Sequence, residues 1–193
     1  MDFLSNLWIP ILASAAAVWI ASAIIWMVLP HHNKDRVGLP DEDGMTKNFE
    51  GLQPGNYMFP HAADRKACRD PEYQKKWEKG PAGMLSIWPK VNMGKNMALT
   101  FLTYLMVSVL IAYVASTVLS PGTDKLRVFQ VTGTMGVLAY AFSHIPNSIW
   151  YCSYPRTIVA NILDGVAFGL ITGAVFALFW PAAATVTLPG MQG

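Results

Sequence analysis

Charge is scarce in this chain of 193 residues: Asp, Glu, Lys and Arg together make 13% of it, while apolar residues make 53%. That balance excludes a disordered chain and an ordinary soluble enzyme. The net charge of +2 is too small to direct the protein to a polyanion, which excludes a nucleic-acid-binding domain. Also missing are a phosphate-binding loop, a dinucleotide fingerprint, a nucleophile elbow and the paired-cysteine spacing of a zinc site. Only two cysteines occur, Cys68 and Cys152.

What the chain has instead is length without charge. Four stretches, 7–29, 97–119, 128–150 and 157–180, contain no Lys, Arg or Glu. At about 1.5 Å per residue, 23 residues give roughly 34 Å of helix, enough to cross a hydrocarbon core of about 30 Å. Trp8 and Trp26 sit near the two ends of the first stretch, where aromatic rings meet the headgroups. Its N-terminal flank has Asp2 and no basic residue, so it reads as a retained helix rather than a cleaved signal. The third and fourth stretches carry Gln130, His144, Asn147, Asn161 and Asp164. Polar turns flank them and only 151–156 separates them, so they read as a helical hairpin; an interfacial or re-entrant pair is the alternative. The expected fold is therefore all-α, with four transmembrane helices and one large insertion at 30–96.

The basic residues orient this bundle. Of 14 Lys and Arg, 11 fall in 30–96 and Arg156 lies in the last connection, against Lys125 and Arg127 on the other side. By the positive-inside rule, 30–96 is cytoplasmic and both termini lie outside. Cys68 and Cys152 are then reduced thiols; in the reverse orientation they could pair. A multi-pass protein of a bacterial inner membrane fits this pattern.

Segment 30–96 has nine acidic residues and prolines at 30, 40, 54, 60, 71, 81 and 89. Prolines so spread argue against long helices or a sheet. One short helix is well signalled at 71–79: Asp70 can cap it, Pro71 suits its first position, Glu72 its first turn, and Gly80 can end it. Residues 51–60 read as turns with aromatic anchors, and 84–89 as an apolar stretch on the membrane surface. The segment is too small for an independent core and reads as a cap on the helix ends or a docking surface.

Ionisable groups within a bilayer face the bundle interior or a cavity. In an antiparallel hairpin turning near residue 154, His144 and Asp164 lie at equal depth, as do Asn147 and Asn161. His144 donating to Asp164 could hold or pass a proton, or the four could host an ion or polar solute. The plainer reading is that the pair cements the hairpin. His144 could alternatively ligate a haem or chlorin; no other cofactor is expected. Pro146 removes one helical hydrogen bond and should free the carbonyl of Phe142. Gly165, Gly169, Gly173 and Ala177 form a small-residue stripe, for a partner helix or for internal packing. Ala13, Ala17 and Ala21 make a similar ridge. A metal site from His31, His32, His61 and Cys68 matches no familiar spacing, and adjacent histidines diverge on a helix, so none is expected. His31 and His32 read as polar punctuation where the first helix leaves the membrane.

Three features together carry a resemblance: Trp26-x3-Pro30-His-His32 closing span one, Asn92-Met-Gly-Lys95 before span two, and the polar hairpin. The chain resembles small four-helix bacterial integral membrane proteins of unassigned function. That resemblance implies location and architecture and supplies no catalytic residue. The functional expectation is a non-catalytic accessory or scaffolding subunit of a larger membrane complex, in contact with lipid and with other subunits or its own copies, not with nucleic acid. A small oligomeric transporter or channel using His144 and Asp164 is the alternative, and a haem- or chlorin-binding protein the third.

Overall fold

The computed structural model describes residues 2–183; the rest of the expected C-terminal tail lies outside the described residues. In chain order the helices are α1 (Asp2–Met27), α2 (Glu42–Lys47), α3 (Pro71–Lys79), α4 (Met93–Val118), α5 (Lys125–Tyr140), α6 (Ile145–Trp150) and α7 (Pro155–Leu178), with strands β1 (Gly55–Phe59) and β2 (Gly83–Ile87). The chain divides into two compact units. The first contains residues 2–37 and 94–183; the second contains Gly38–Met93.

In the first unit, three helices are long and apolar enough to cross a membrane: Phe3–Met27, Met93–Val118 and Pro155–Leu178. The remaining expected span, 128–150, is not one continuous helix. Asp124 caps α5 by accepting from the amides of Leu126 and Arg127. The helix runs to Tyr140 and passes into a 3-10 turn at Phe142–His144, after which α6 starts. Pro146 has no N–H to continue the ladder. The carbonyl of Phe142 is nevertheless used, because the amide of Ile145 closes the 3-10 turn onto it. Tightening the turn satisfies the group that an uninterrupted α-helix would have orphaned.

Side chains of α1, α4, α5 and α7 make the core. Leu7, Ile11, Ile111, Ala112, Ala115, Leu119, Val128, Phe176 and Ala177 form one buried cluster. Val18, Tyr140 and Phe168 form a second, against which Tyr104 packs. The rings of Tyr104, Tyr140 and Phe168 meet one another edge-on or tilted, with centroids 5.8–6.1 Å apart. The glycine stripe of α7 is consumed inside this unit. A Cβ at Gly165 would come within 2.5 Å of the Ala141 backbone, and one at Gly173 within 2.9 Å of the Gly133 Cα. Gly136 on α5 likewise faces the Gly169 Cα. Backbone meets backbone along this seam, so α5 and α7 approach as only glycine permits.

The second unit has the expected short helix but also a small sheet, which its prolines argue against from sequence. β1 and β2 form an antiparallel pair in which Tyr57 stands opposite Leu85 and Gly55 opposite Ile87. Residues 84–87, read from sequence as a membrane-surface stretch, lie in β2. The prolines do not interrupt either strand: Pro54 and Pro60 bracket β1, and Pro81 and Pro89 lie outside β2. α3 occupies Pro71–Lys79, with the Asp70 carboxylate accepting from the Glu72 amide at 2.7 Å and Gly80 following at φ 62°.

Candidate functional site

The polar centre of the first unit forms where α1 ends. Leu29 is extended, and Pro30, with φ already fixed, starts a single 3-10 turn over Pro30–His32. This turn carries both histidines to α7. Asp164, two and a half turns into that helix, is buried on the face that also presents Gly165 and Phe168. Its carboxylate takes both rings at once. His31 Nε2 lies 3.0 Å from Oδ1, and His32 Nε2 lies 2.7 Å from Oδ2. The two rings do not diverge as the sequence suggests: their centroids lie 4.2 Å apart with planes 42° from parallel, and both turn to the two oxygens of one carboxylate.

Asp35 completes the cluster from the other side of His32, with its Oδ2 2.6 Å from Nδ1. Each nitrogen of His32 thus faces a carboxylate, an arrangement satisfied when both carry protons. The side chains of His32, Asp35 and Asp164 are only 6%, 8% and 11% exposed, against 33% for His31. Burial alone would lower the His32 pKa. The hydrogen bonds to Asp35 and Asp164, with the charge of both, outweigh it and hold the imidazole above its ordinary value. The same bond from His32, helped by the charges of His32 and Arg156, holds Asp35 below the usual carboxylate range despite its burial.

Two further side chains brace the cluster. The Trp26 indole, in the last turn of α1, stacks on the His32 ring with centroids 4.0 Å apart and planes 3° from parallel. Arg156, at the start of α7, donates from Nη2 to the His31 carbonyl at 3.0 Å, and its Nη1 lies 3.9 Å from Asp35 Oδ1. That Asp35 oxygen is fully buried, and the Thr157 side chain also supports the carboxylate.

Beside the cluster opens a cavity of about 300 Å³ lined by Trp26, Tyr104, Tyr140, His144, Asn161, Asp164, Gly165 and Phe168. It brings together three of the four polar residues singled out from the hairpin. Asn147 is not among its lining residues. His144 ends the 3-10 turn after α5, and the Asp164 carboxylate is directed to His31 and His32. Of the four candidate metal ligands, His31 and His32 meet on Asp164, whereas His61 and the exposed Cys68 belong to the second unit. A larger cavity of about 480 Å³, near Phe3, Leu119 and Trp180, has no charged residue in its lining.

Sequence reasoning assigns Trp26 to the headgroup region and Arg156 to topology, not to this cluster, and does not single out Asp35. The spacing His-His-x-x-Asp straight after a proline was the available signal for Asp35, since a turn brings residues three apart together. No local signal ties either histidine to a residue 132 positions away. Comparison with known proteins adds nothing further: no family model, curated protein or solved structure matches the chain.

Proposed function

We propose that this is a multi-pass protein of a bacterial inner membrane that holds a small polar solute or ion beside Asp164 and passes it across, as an oligomeric transporter or channel. The observation that carries this reading is the convergence of Asp164, Asn161 and His144 on one aromatic-walled cavity. Polar groups inside a bilayer protein are costly, and a cavity that gathers three of them offers a solute hydrogen bonds in place of water. α5 alone rises about 24 Å, short of the roughly 30 Å hydrocarbon core, so α5, the 3-10 turn and α6 together serve as the fourth crossing. A broken helix at membrane depth is tolerated where its backbone lines a cavity. A route through so small a bundle needs at least a second copy.

The charge asymmetry places 30–96 in the cytoplasm and both termini outside. Cys68 and Cys152 are both exposed thiols and report on this directly. An impermeant maleimide should label them only after cells are opened.

Osmotic swelling tests the solute reading without knowledge of the ligand. Proteoliposomes are challenged with glycerol, urea, erythritol and sorbitol gradients, and a pH dye inside reports proton entry. Wild-type protein should accelerate at least one of these fluxes, and Asn161→Leu with His144→Leu should slow it. Fluxes equal to those of empty liposomes would end this reading. A haem or chlorin on His144 would occupy the same cavity, and visible absorption of the purified protein decides that variant.

A second reading, the accessory or scaffolding subunit, draws on the second unit. Met58, Phe59, Trp77, Met84 and Trp88 are exposed there, and exposed aromatic and methionine side chains are enriched at protein interfaces. Native mass measurement after mild extraction should then find a co-purifying membrane protein.

A further inference from the structure

We propose that His31, His32 and Asp164 bind a divalent first-row transition cation such as Zn²⁺, Co²⁺ or Ni²⁺. This goes beyond the solute reading and shares with it only Asp164. One ligand atom from each of the three residues lies within 4.8 Å of the other two. A tetrahedral ion with metal–ligand distances of about 2.0–2.1 Å sets its ligands roughly 3.3 Å apart. The Nε2–carboxylate distances of 3.0 and 2.7 Å need only small side-chain movements to reach that spacing.

The surroundings are those that a metal-bound histidine requires. Asp35 accepts from His32 Nδ1, which fixes the tautomer with Nε2 turned inward. A carboxylate behind the imidazole is the recurrent outer partner of metal-ligating histidine. Trp26 stacking sets the plane of the same ring, and Arg156 holds the His31 backbone through its carbonyl. These contacts place both rings before any ion arrives.

A further observation points the same way. The buried Asp35 carboxylate behind His32 sets negative charge against the ring, which a cation on Nε2 relieves through it. The two-nitrogen, one-carboxylate donor set favours zinc, cobalt, nickel or ferrous iron over calcium and magnesium, which prefer all-oxygen shells. The exchange balances simply. The ion takes the inner lone pairs; His31 passes its Nε2 proton to solvent and takes one up on Nδ1, and His32 gives its Nε2 proton to solvent while keeping Nδ1–H on Asp35. Three protein ligands leave a fourth position for water or a solute donor atom.

The full-length protein in detergent, stripped with a chelator, should take up one equivalent of Co²⁺ with the intense visible bands of a low-symmetry site. Zn²⁺ should displace it. His31→Ala and His32→Ala should each weaken Zn²⁺ binding at least about 100-fold, beyond the roughly 10–100-fold expected for Asp35→Asn, which removes only the outer partner. His61→Ala should leave affinity unchanged. Folded wild-type protein that shows no Co²⁺ bands and retains no Zn²⁺ against a weak chelator would overturn the proposal, whatever the variants do. So would binding undiminished in His31→Ala and His32→Ala, or lost in His61→Ala.

Discussion

The two units of this protein treat charge in opposite ways. In the second unit Lys75 and Glu72 meet at 2.8 Å with 70% and 75% of their side chains exposed. In the first, His32 and Asp164 meet at 2.7 Å with 6% and 11% exposed. The distances are nearly the same and the energetics are not. An exposed pair gains little over water and contributes about 0–1 kcal/mol. A buried pair has surrendered its hydration, so removing one partner strands the other and costs about 3–5 kcal/mol. Distance alone therefore says little about an ion pair; what surrounds it decides whether it holds the fold.

The sharpest contrast lies with the apolar seam that supports the buried cluster. Gly165 neighbours Asp164 on α7, and a Cβ there meets the Ala141 backbone. Gly165→Leu should separate α5 from α7 and abolish cooperative unfolding in detergent, with a loss above the 4–5 kcal/mol that marks exceptional substitutions. A well-folded Gly165→Leu protein, judged by circular dichroism and monodispersity, would show that the seam is not close-packed. Asp164→Ala comes next. It leaves His31 and His32 without their common acceptor and should lower stability by about 3 kcal/mol, read as a shift in the denaturant midpoint. If instead the loss is as small as at an exposed pair, the cluster is hydrated and the contrast between the units fails.

What the sequence discloses follows from how local each signal is. Three of the four apolar stretches are single long helices because hydropathy and length act within one segment. The cap, proline and terminal glycine of α3 all lie within Asp70–Gly80 and mark its bounds. The third stretch, 128–150, looks equally apolar, but Pro146 and the turn at Phe142–His144 divide it. The β1–β2 pair escaped notice because prolines were weighed by number and not by position; they flank the strands, where no ladder hydrogen bond is needed. His144, Asn161 and Asp164 line one cavity, but Asn147 does not, and the Asp164 carboxylate meets His31 and His32 where the hairpin reading pairs it with His144. The partners of the Asp164 carboxylate, supplied by the far end of α1, depend on how α1 meets α7, which no local pattern encodes.

The pH dependence of the metal-free protein, held in chelator, separates the two kinds of pair less drastically. His32 has a folded pKa above its ordinary 6.5, so its contribution is complete below about that pH and is lost as pH rises through the raised value. Asp35 has a folded pKa below its ordinary 3.8, so its contribution is present above that pH and is lost as pH falls through the depressed value. Asp164, His31 and Arg156 face the same ring and share the balance. The thermal midpoint should therefore be highest between pH 4 and 6.5 and decline on the alkaline side, and His32→Gln should flatten that decline. An unchanged alkaline limb in His32→Gln would assign it to another group.

The smallest effect is expected at the exposed pair. Lys75 and Glu72 lie three apart on α3, where such contacts add about 0.2–0.5 kcal/mol to a helix and fade with salt. Lys75→Ala also exchanges one good helix former for a better one, and the two contributions oppose each other. The net change in stability should stay within about 0.5 kcal/mol and shift toward slight stabilisation in high salt, where only the propensity gain is left. A larger, salt-dependent loss would mean that the second unit relies on its surface charges as the first relies on its buried ones. The difference between the units would then be one of degree, set by how far water reaches into each pair.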